Sequence, residues 1–560
     1  MPDCPQRIRA LAIELGLDEP EGLLRARGAR ALGVPEEAVR GVRIARRALD
    51  ARKRAGRPGR GARRELRFVV HADLDLDADF RSESLDRALA SGRAQRVEPP
   101  ARFELERIDP AWRGRRVVVV GSGPAGLYAA WTLATNGVAV DLIERGPELR
   151  DRGRAVAHFT RTRELDPERN LLFGEGGAGT YSDGKLYTRT QHALEAPIVR
   201  TLVEAGAPPE IAFDARAHVG TDRLHRILPR LRDRLVSLGV DFHFETRLES
   251  IDCVEEAGRR RVRAVRTSRG EMPCEGLVLA LGHSARDTIR VLAEQGLVCS
   301  AKPFQIGLRI EHPQALIDRG RYGPEADLER LGHAYYGLVA KADASHAAVH
   351  SFCMCPGGQI VAAVAQPGLL CTNGMSNSRH SSPWANSGLV VTLGPREFGP
   401  GIFDGHALQE ALERRFFEAG GSDYSAPAQR VPDFLAGREG KGDLDGASSS
   451  YKLGLASARI DALLPPATTA ALRRAIERFD RSIPGYASEE GLLVGVESRS
   501  SGPLRMDRDP ETRLATGFSN LWPVGEGAGH AGGIMSAAID GARSAWALLA
   551  PSEDRPVTRP

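Results

Sequence analysis

The segment RRVVVVGSGPAGLYAAWTLATNGVAVDLIERG sets Gly121, Gly123 and Gly126 in a G-x-G-x-x-G pattern, directly after an apolar run and directly before an apolar helix. Gly121 permits a tight turn, Gly123 lets backbone approach a pyrophosphate, and Gly126 lets the helix pack on the sheet. Ser122, Pro124 and Ala125 complete the turn, and the helix start offers N–H groups and a positive dipole end to phosphate. A second apolar run, Val138–Ile143, ends in Glu144, where a carboxylate can accept from a ribose hydroxyl. Its charge would repel a 2′-phosphate, which excludes NADP at this position but not NAD.

Two distant segments decide between dinucleotides. GLVLALGHS (Gly276–Ser284) is a short apolar strand ending in a glycine turn, as expected where an excursion returns to the first sheet. NLWPVGEGAGHAGGIMSAAIDG (Asn520–Gly541) is an apolar strand ending at Gly525 and Glu526, then a glycine-rich turn that opens a helix at about Gly533. Glu526 is placed for a ribityl hydroxyl, and the helix start can face a flavin ring and stabilise its anionic reduced form. A plain NAD dehydrogenase needs no second glycine signature of this kind, so FAD, held non-covalently, is the expected cofactor.

The chain resembles the glutathione-reductase-type FAD superfamily and, within it, the bacterial group usually labelled uncharacterised FAD-dependent dehydrogenases, with plastid relatives. The resemblance covers nearly the whole chain. It rests on DARKR after the second N-terminal strand, GEGGAGTYSDGKLYTR (Gly174–Arg189), GHSARDT (Gly282–Thr288), CMCPGGQIVAA (Cys353–Ala363), TNGMSNSR (Thr372–Arg379), WANSGLVVT (Trp384–Thr392) and the GEGAGHAGGIMSAAIDG tail. It implies that the Gly174–Lys185 loop, through Gly177, Ala178, Gly179, Thr180, Ser182 and Lys185, passes along the isoalloxazine and pyrophosphate. The remaining expected cofactor contacts are Arg145, Leu248, Ala280, Gly282, Ile534 and Met535. Where Asp commonly ends the superfamily's last motif, this chain has Glu526. The group carries no general reaction to transfer.

With the flavin making and breaking bonds, by the expected hydride transfer at N5, the protein must supply a substrate slot, an orienting cation and an acid or base. Lys185, His283 and Arg379 are the catalytic candidates. Lys185 reads either as a donor near the flavin or as a surface ion pair. His283 reads as a general acid or, preferably, as the neighbour of a helix cap at Ser284. Asn373, Asn377, Arg379 and Asn386 suit a carboxylate or amide substrate, with a satisfied turn network as the alternative. His530 is a third histidine of interest. Cys353 and Cys355 alternate on one face of a strand and read first as small buried residues and second as a redox dithiol or metal pair, since two thiols make an incomplete metal site and the C-x-x-C spacing of flavin disulfide reductases is absent; no metal is expected.

These residues require an α/β fold: a Rossmann-type FAD-binding domain (115–288, completed by 501–560) with an inserted α+β substrate domain (289–500). A small N-terminal α+β domain of ferredoxin-like type (1–100) and a linker (101–114) precede it. The N-terminal strands are expected at Ile8–Glu14, Val39–Ala45 and Glu65–Ala72, with helices at Glu19–Leu32 and Ser82–Ser91. Between its middle strands lies the basic loop Ala51–Arg64, read first as a solvated hairpin tip and second as an RNA contact. Glu439–Ser450 reads as a surface loop. The net charge of +4, against 77 basic and 73 acidic residues, implies no global attraction to nucleic acid or membrane. The 7 scattered cysteines and the lack of an 18-residue apolar run point to the cytoplasm. The expected function is an FAD-dependent oxidoreductase (dehydrogenase or reductase) with a small-molecule substrate. NAD(P)H docking transiently near the flavin is one electron source, because no second G-x-G-x-x-G exists; oxygen, quinone or a partner protein are outlets. A flavin-dependent RNA-modifying enzyme and a non-catalytic flavin sensor or scaffold are the alternatives.

Overall fold

The computed structural model describes residues 5–51, 66–188, 190, 192–440, 444 and 448–551. Most of the basic loop expected at Ala51–Arg64, and six residues of Glu439–Ser450, lie outside the described residues.

The N-terminal unit runs β1 (Gln6–Gly16), α1 (Leu23–Leu32), β2 (Val39–Asp50), β3 (Arg67–Leu76), α2 (Glu83–Ala90) and β4 (Ala94–Arg96). Its antiparallel sheet has the order β2-β3-β1-β4, the ferredoxin-like arrangement. Alternate residues of β1, from Ile8 and Ala10 to Ile13 and Leu15, face the helices; a bulge between Ala10 and Ile13 keeps that face apolar. The short edge strand β4 has no periodicity long enough to be read from sequence.

The following stretch is packed rather than free. Phe103 lies against Tyr128 and Trp131, and Trp112 meets Trp522 edge-on at 6.2 Å. Then come β5 (Arg116–Val120), α3 (Pro124–Thr135), β6 (Ala139–Ile143), α4 (Leu149–Thr162), α5 (Glu195–Glu204), α6 (Thr221–Ser237) and β7 (Val240–His243). An antiparallel trio follows, β8 (Leu248–Glu256), β9 (Arg259–Thr267) and β10 (Gly270–Pro273), and after it β11 (Gly276–Leu279) and α7 (Arg286–Glu294). The strand Leu521–Pro523 joins β11, β5, β6 and β7 in a parallel five-stranded sheet. β5 shows why its sequence is uninterruptedly apolar. Val117 and Val119 pack with α3 and the C-terminal helix Ile534–Leu549, whereas Val118 and Val120 pack with Leu248, Ile251 and Ile289 on the other face.

The inserted unit is built on a seven-stranded sheet. In spatial order its strands are Val339–Ala340, Val349–Cys355, Trp384–Leu393, Phe304–Pro313, Leu492–Glu497, Ala426–Arg430 and Leu455–Ser457. The hairpin Gly358–Ala362 with Thr372–Ser376 lies outside that sheet. No helix of the described residues is long and apolar enough to cross a membrane.

Candidate cofactor and active site

Four glycine-bearing turns meet at the carboxyl ends of β5, β11 and Leu521–Pro523, the edge where open α/β sheets bind ligands. A Cβ on Gly126 would sit 1.9 Å from the Gly121 carbonyl oxygen, and one on Gly121, whose φ is +104°, would sit 2.3 Å from the Ala280 oxygen. The turn is thus closed to any side chain at either position. Gly176 N donates to Ser122 O at 3.1 Å, which lays the second glycine loop on the first. At Gly177, where φ is +64°, a Cβ would come within 3.0 Å of the Gly123 Cα. Gly179 faces Pro124, at the start of α3, and Ile534, at the start of the C-terminal helix. Gly525 packs on Ala125 and Gly527 on Gly282. Two helix N-termini, capped by Gly123 and Gly533, therefore open at one bare backbone surface, and Gly532 and Gly533 are exposed there. A pyrophosphate and a planar ring need such a surface.

Buried charge holds the loops in place. The Glu144 carboxylate accepts from Ser122 N (2.9 Å), Ser122 Oγ (2.8 Å), Gly146 N (2.9 Å) and Gly174 N (3.0 Å). Arg152, wholly buried on α4, donates to the carbonyls of Asn170, Leu171, Gly174, Glu175 and Gly177. Burial lowers its pKa to about 10, which leaves it charged at neutral pH. Arg145 lies 4.0 Å over the Phe173 ring and pairs with Glu168 and Asp287. Glu526 accepts from Gly502 N at 2.7 Å, with Lys302 at 3.6 Å. Leu248 is buried, and its carbonyl accepts from Thr288; Met535 is buried beneath the start of the last helix.

A polar cluster begins where the second glycine loop ends. Asp183, almost fully buried, pairs with Lys185 and accepts from Ser376 Oγ. Lys185 Nζ also lies 3.9 Å from Cys353 Sγ. Cys353 sits on a β-bulge with φ +43°, which breaks the pairing between Phe352 and Cys355. The regular alternation expected for Cys353 and Cys355 is therefore absent: Cys355 is fully buried, and Cys353 is partly exposed beside Lys185. The Cys355 thiol donates to the Cys353 carbonyl oxygen at 3.2 Å, and Cys355, Lys185 and Arg309 together hold the Cys353 thiol down at about 5 against burial. Beneath them the fully buried Arg309 donates to Glu497 (2.7 Å), Asn386 Oδ1 (2.8 Å), Asn373 Oδ1 (3.0 Å) and the Cys353 carbonyl (3.0 Å). Gly374 is required there, because a Cβ would meet Arg309 and Asn386 at 2.4 Å.

Residues 115–286 match the model of an FAD binding domain, and residues 303–500 that of an FAD-dependent protein, C-terminal domain-like. Residues 6–56 match a domain of unknown function. A protein of Clostridium beijerinckii, described as an uncharacterized protein, is 36% identical over 543 residues, spanning 97% of this chain and 98% of that one. The chain belongs to that protein's family. FAD is its cofactor. Similar solved structures include L-proline dehydrogenase from P. horikoshii (TM-score 0.32, 11% identity, 80% of this chain and 95% of that one). Glycine oxidase from Bacillus cereus is another (TM-score 0.30, 11% identity, 77% and 94%).

In this flavoprotein the residues singled out from sequence separate into groups. Lys185, Asn373 and Asn386 come together around Cys353 and Arg309. Asn377 caps its own turn, donating to Ser381 Oγ at 2.6 Å and accepting from the backbone of Arg379 and Ser381. Arg379 is exposed. His283 lies beside Gly502, and burial with Arg499 and Arg286 lowers its pKa to about 4, so it is neutral at pH 7. The expected Ser284 cap is not formed: the N-cap of α7 is Ala285, and the Ser284 hydroxyl accepts from Arg499 at 3.4 Å. That arginine is claimed by a stronger partner. Arg286 and Arg499 both clasp Glu413, all three buried, and tie α7 to the inserted unit. His530 bonds to the Met506 carbonyl. A cleft of about 690 Å³ near residues 104–110 and Asn136 lies at the far end of α3 from the glycines. Arg309, Glu497 and Arg152 were not anticipated; charged residues inside the apolar runs FQIGLRIEH and LLVGVES were the available signal for the first two.

Proposed function

We propose that the protein is a cytoplasmic FAD-dependent oxidoreductase of the glutathione-reductase type, which moves a hydride to or from a small organic substrate seated against Lys185 and Cys353. Bound FAD supplies two-electron chemistry at N5. The backbone of Gly121–Gly126, Gly177–Gly179 and Gly533–Met535, with Glu144 and Glu526, would hold it. Lys185 is the orienting cation: burial opposes its charge, but Cys353 and Asp183 outweigh burial and keep it protonated. Its ammonium suits a substrate carboxylate or carbonyl. The Cys353 sulfur, a thiolate at neutral pH, accepts a proton there, and Arg309 fixes the bulge by holding the Cys353 carbonyl. The observation that carries this reading is the Lys185–Cys353 contact, which follows directly on the glycine loop.

NADH or NADPH docking near the ring serves as electron source. Anaerobic reduction followed at the flavin band, with NADH, NADPH and fractionated metabolite pools, tests the proposal. One of these should bleach wild-type protein within a turnover, and Lys185→Met should slow bleaching by the organic substrate by about two orders of magnitude at unchanged FAD content. A flavin that no donor reduces would leave a binding or sensing role instead.

A further inference from the structure

We propose that Asp183, His218 and His380 form a binding site for a divalent first-row transition ion, with one carboxylate oxygen and two imidazole Nε2 atoms as ligands. The three residues come from separate segments. Asp183 follows the second glycine loop, His218 bridges to Lys185 just before α6, and His380 lies in the turn after Thr372–Ser376. The Nε2 atoms stand 3.7 Å (His218) and 3.9 Å (His380) from Asp183 Oδ1, and the three ligand atoms lie within 4.8 Å of one another.

Neither Nε2 atom has a hydrogen-bond partner among the described residues, although both atoms are buried. The rings are stacked, with centroids 4.2 Å apart and 27° between planes, so both nitrogens reach the same carboxylate oxygen. Two buried ring nitrogens left without partners destabilise the fold. A cation between them and the carboxylate removes that cost; bonds of about 2.0–2.1 Å require the three ligand atoms to draw inward and the stacked rings to turn so that their in-plane lone pairs converge.

The supports are those a metal ligand needs. The His218 ring also meets the Asn377 backbone, which helps to orient it. Ser376 holds Asp183 Oδ1 and Lys185 holds Oδ2. The Asn377 turn is anchored on α6, since Asp222 accepts from Ser378 N (2.6 Å) and Ser378 Oγ (2.8 Å). Two imidazoles and one carboxylate suit Zn(II) or Fe(II) and leave an open position. The Lys185 charge beside the carboxylate opposes a second cation and limits affinity.

The test uses the full-length, FAD-loaded protein, stripped with chelator and titrated with Zn(II) by calorimetry and with Co(II) by ligand-field absorption at wavelengths beyond the flavin band. One equivalent should bind saturably. His218→Ala and His380→Ala should each weaken binding at least tenfold, with FAD content reporting that the fold is kept; His380→Gln serves if the alanine variant loses flavin. Cys353→Ser should still bind one equivalent. Absence of saturable binding in wild-type protein, unchanged binding in the His218→Ala/His380→Ala double variant, or loss of binding in Cys353→Ser alone overturns the assignment.

Discussion

The amino group of Lys185 lies 3.9 Å from the sulfur of Cys353, across 168 residues of sequence. Together with Cys355 and Arg309, that contact lowers the pKa of the Cys353 thiol, and it is the most direct handle on the chemistry.

Alkylation should therefore be selective and active in mild acid. Because the thiolate is the nucleophile, the reaction of Cys353 with iodoacetamide should rise through about pH 5, where its pKa lies, instead of near the ordinary value of about 8.5. Lys185→Met should move the midpoint upward and slow modification at pH 6 by about tenfold or more. Peptide mass spectrometry against pH measures both. Cys355, fully buried with its pKa raised, should stay unmodified in folded protein.

Gly177→Val tests the cradle. The residue has φ +64°, and any Cβ there would approach Gly123 Cα to 3.0 Å, so a branched side chain must both strain the backbone and part the two glycine loops. The flavin-to-protein absorbance ratio after purification should fall at least tenfold.

Arg152→Lys should separate charge from geometry. Five carbonyls are held by the Arg152 guanidinium, whereas an ammonium has only three donors. The variant should keep its fold, lose about 2–4 kcal/mol of stability, and release FAD faster, as read by denaturation and by the fluorescence of freed flavin. An Arg152→Lys protein with wild-type flavin retention would remove Arg152 from this role.

Glu413 sets an acid limit. Burial opposes its charge, but Arg286 and Arg499 outweigh burial and hold its carboxyl far below the ordinary range. A carboxylate whose pKa is depressed on folding stabilises the protein fully above its unfolded value of about 4.3, and that stability is lost as pH falls below it. Melting temperature should thus be insensitive to this group from pH 7 to 5 and fall steeply below about pH 4.5. Glu413→Gln leaves two buried guanidiniums under-compensated, at a cost of about 3–5 kcal/mol, and its acid limb should be correspondingly shallower.

The nucleotide cradle was legible in the sequence because its information is local. Gly121, Gly123 and Gly126 act within one turn, Glu144 ends the next strand, and Gly525–Gly533 repeats the device near the C-terminus, so spacing alone carries the geometry. The ferredoxin-like order of the N-terminal unit follows from a βαββαβ pattern whose elements are long enough to show their periods, β4 excepted. The cluster at Lys185 is another matter. Asp183, His218, Arg309, Cys353, His380 and Glu497 come from six segments, and each has an ordinary structural reading by itself. Only the packing of the inserted unit against the second glycine loop makes them neighbours. Cys353 depends further on a bulge, a one-residue slip that strand periodicity cannot register. Local backbone demands shaped the glycine cradle; burial and long-range pairing of charge decided what stands beside it.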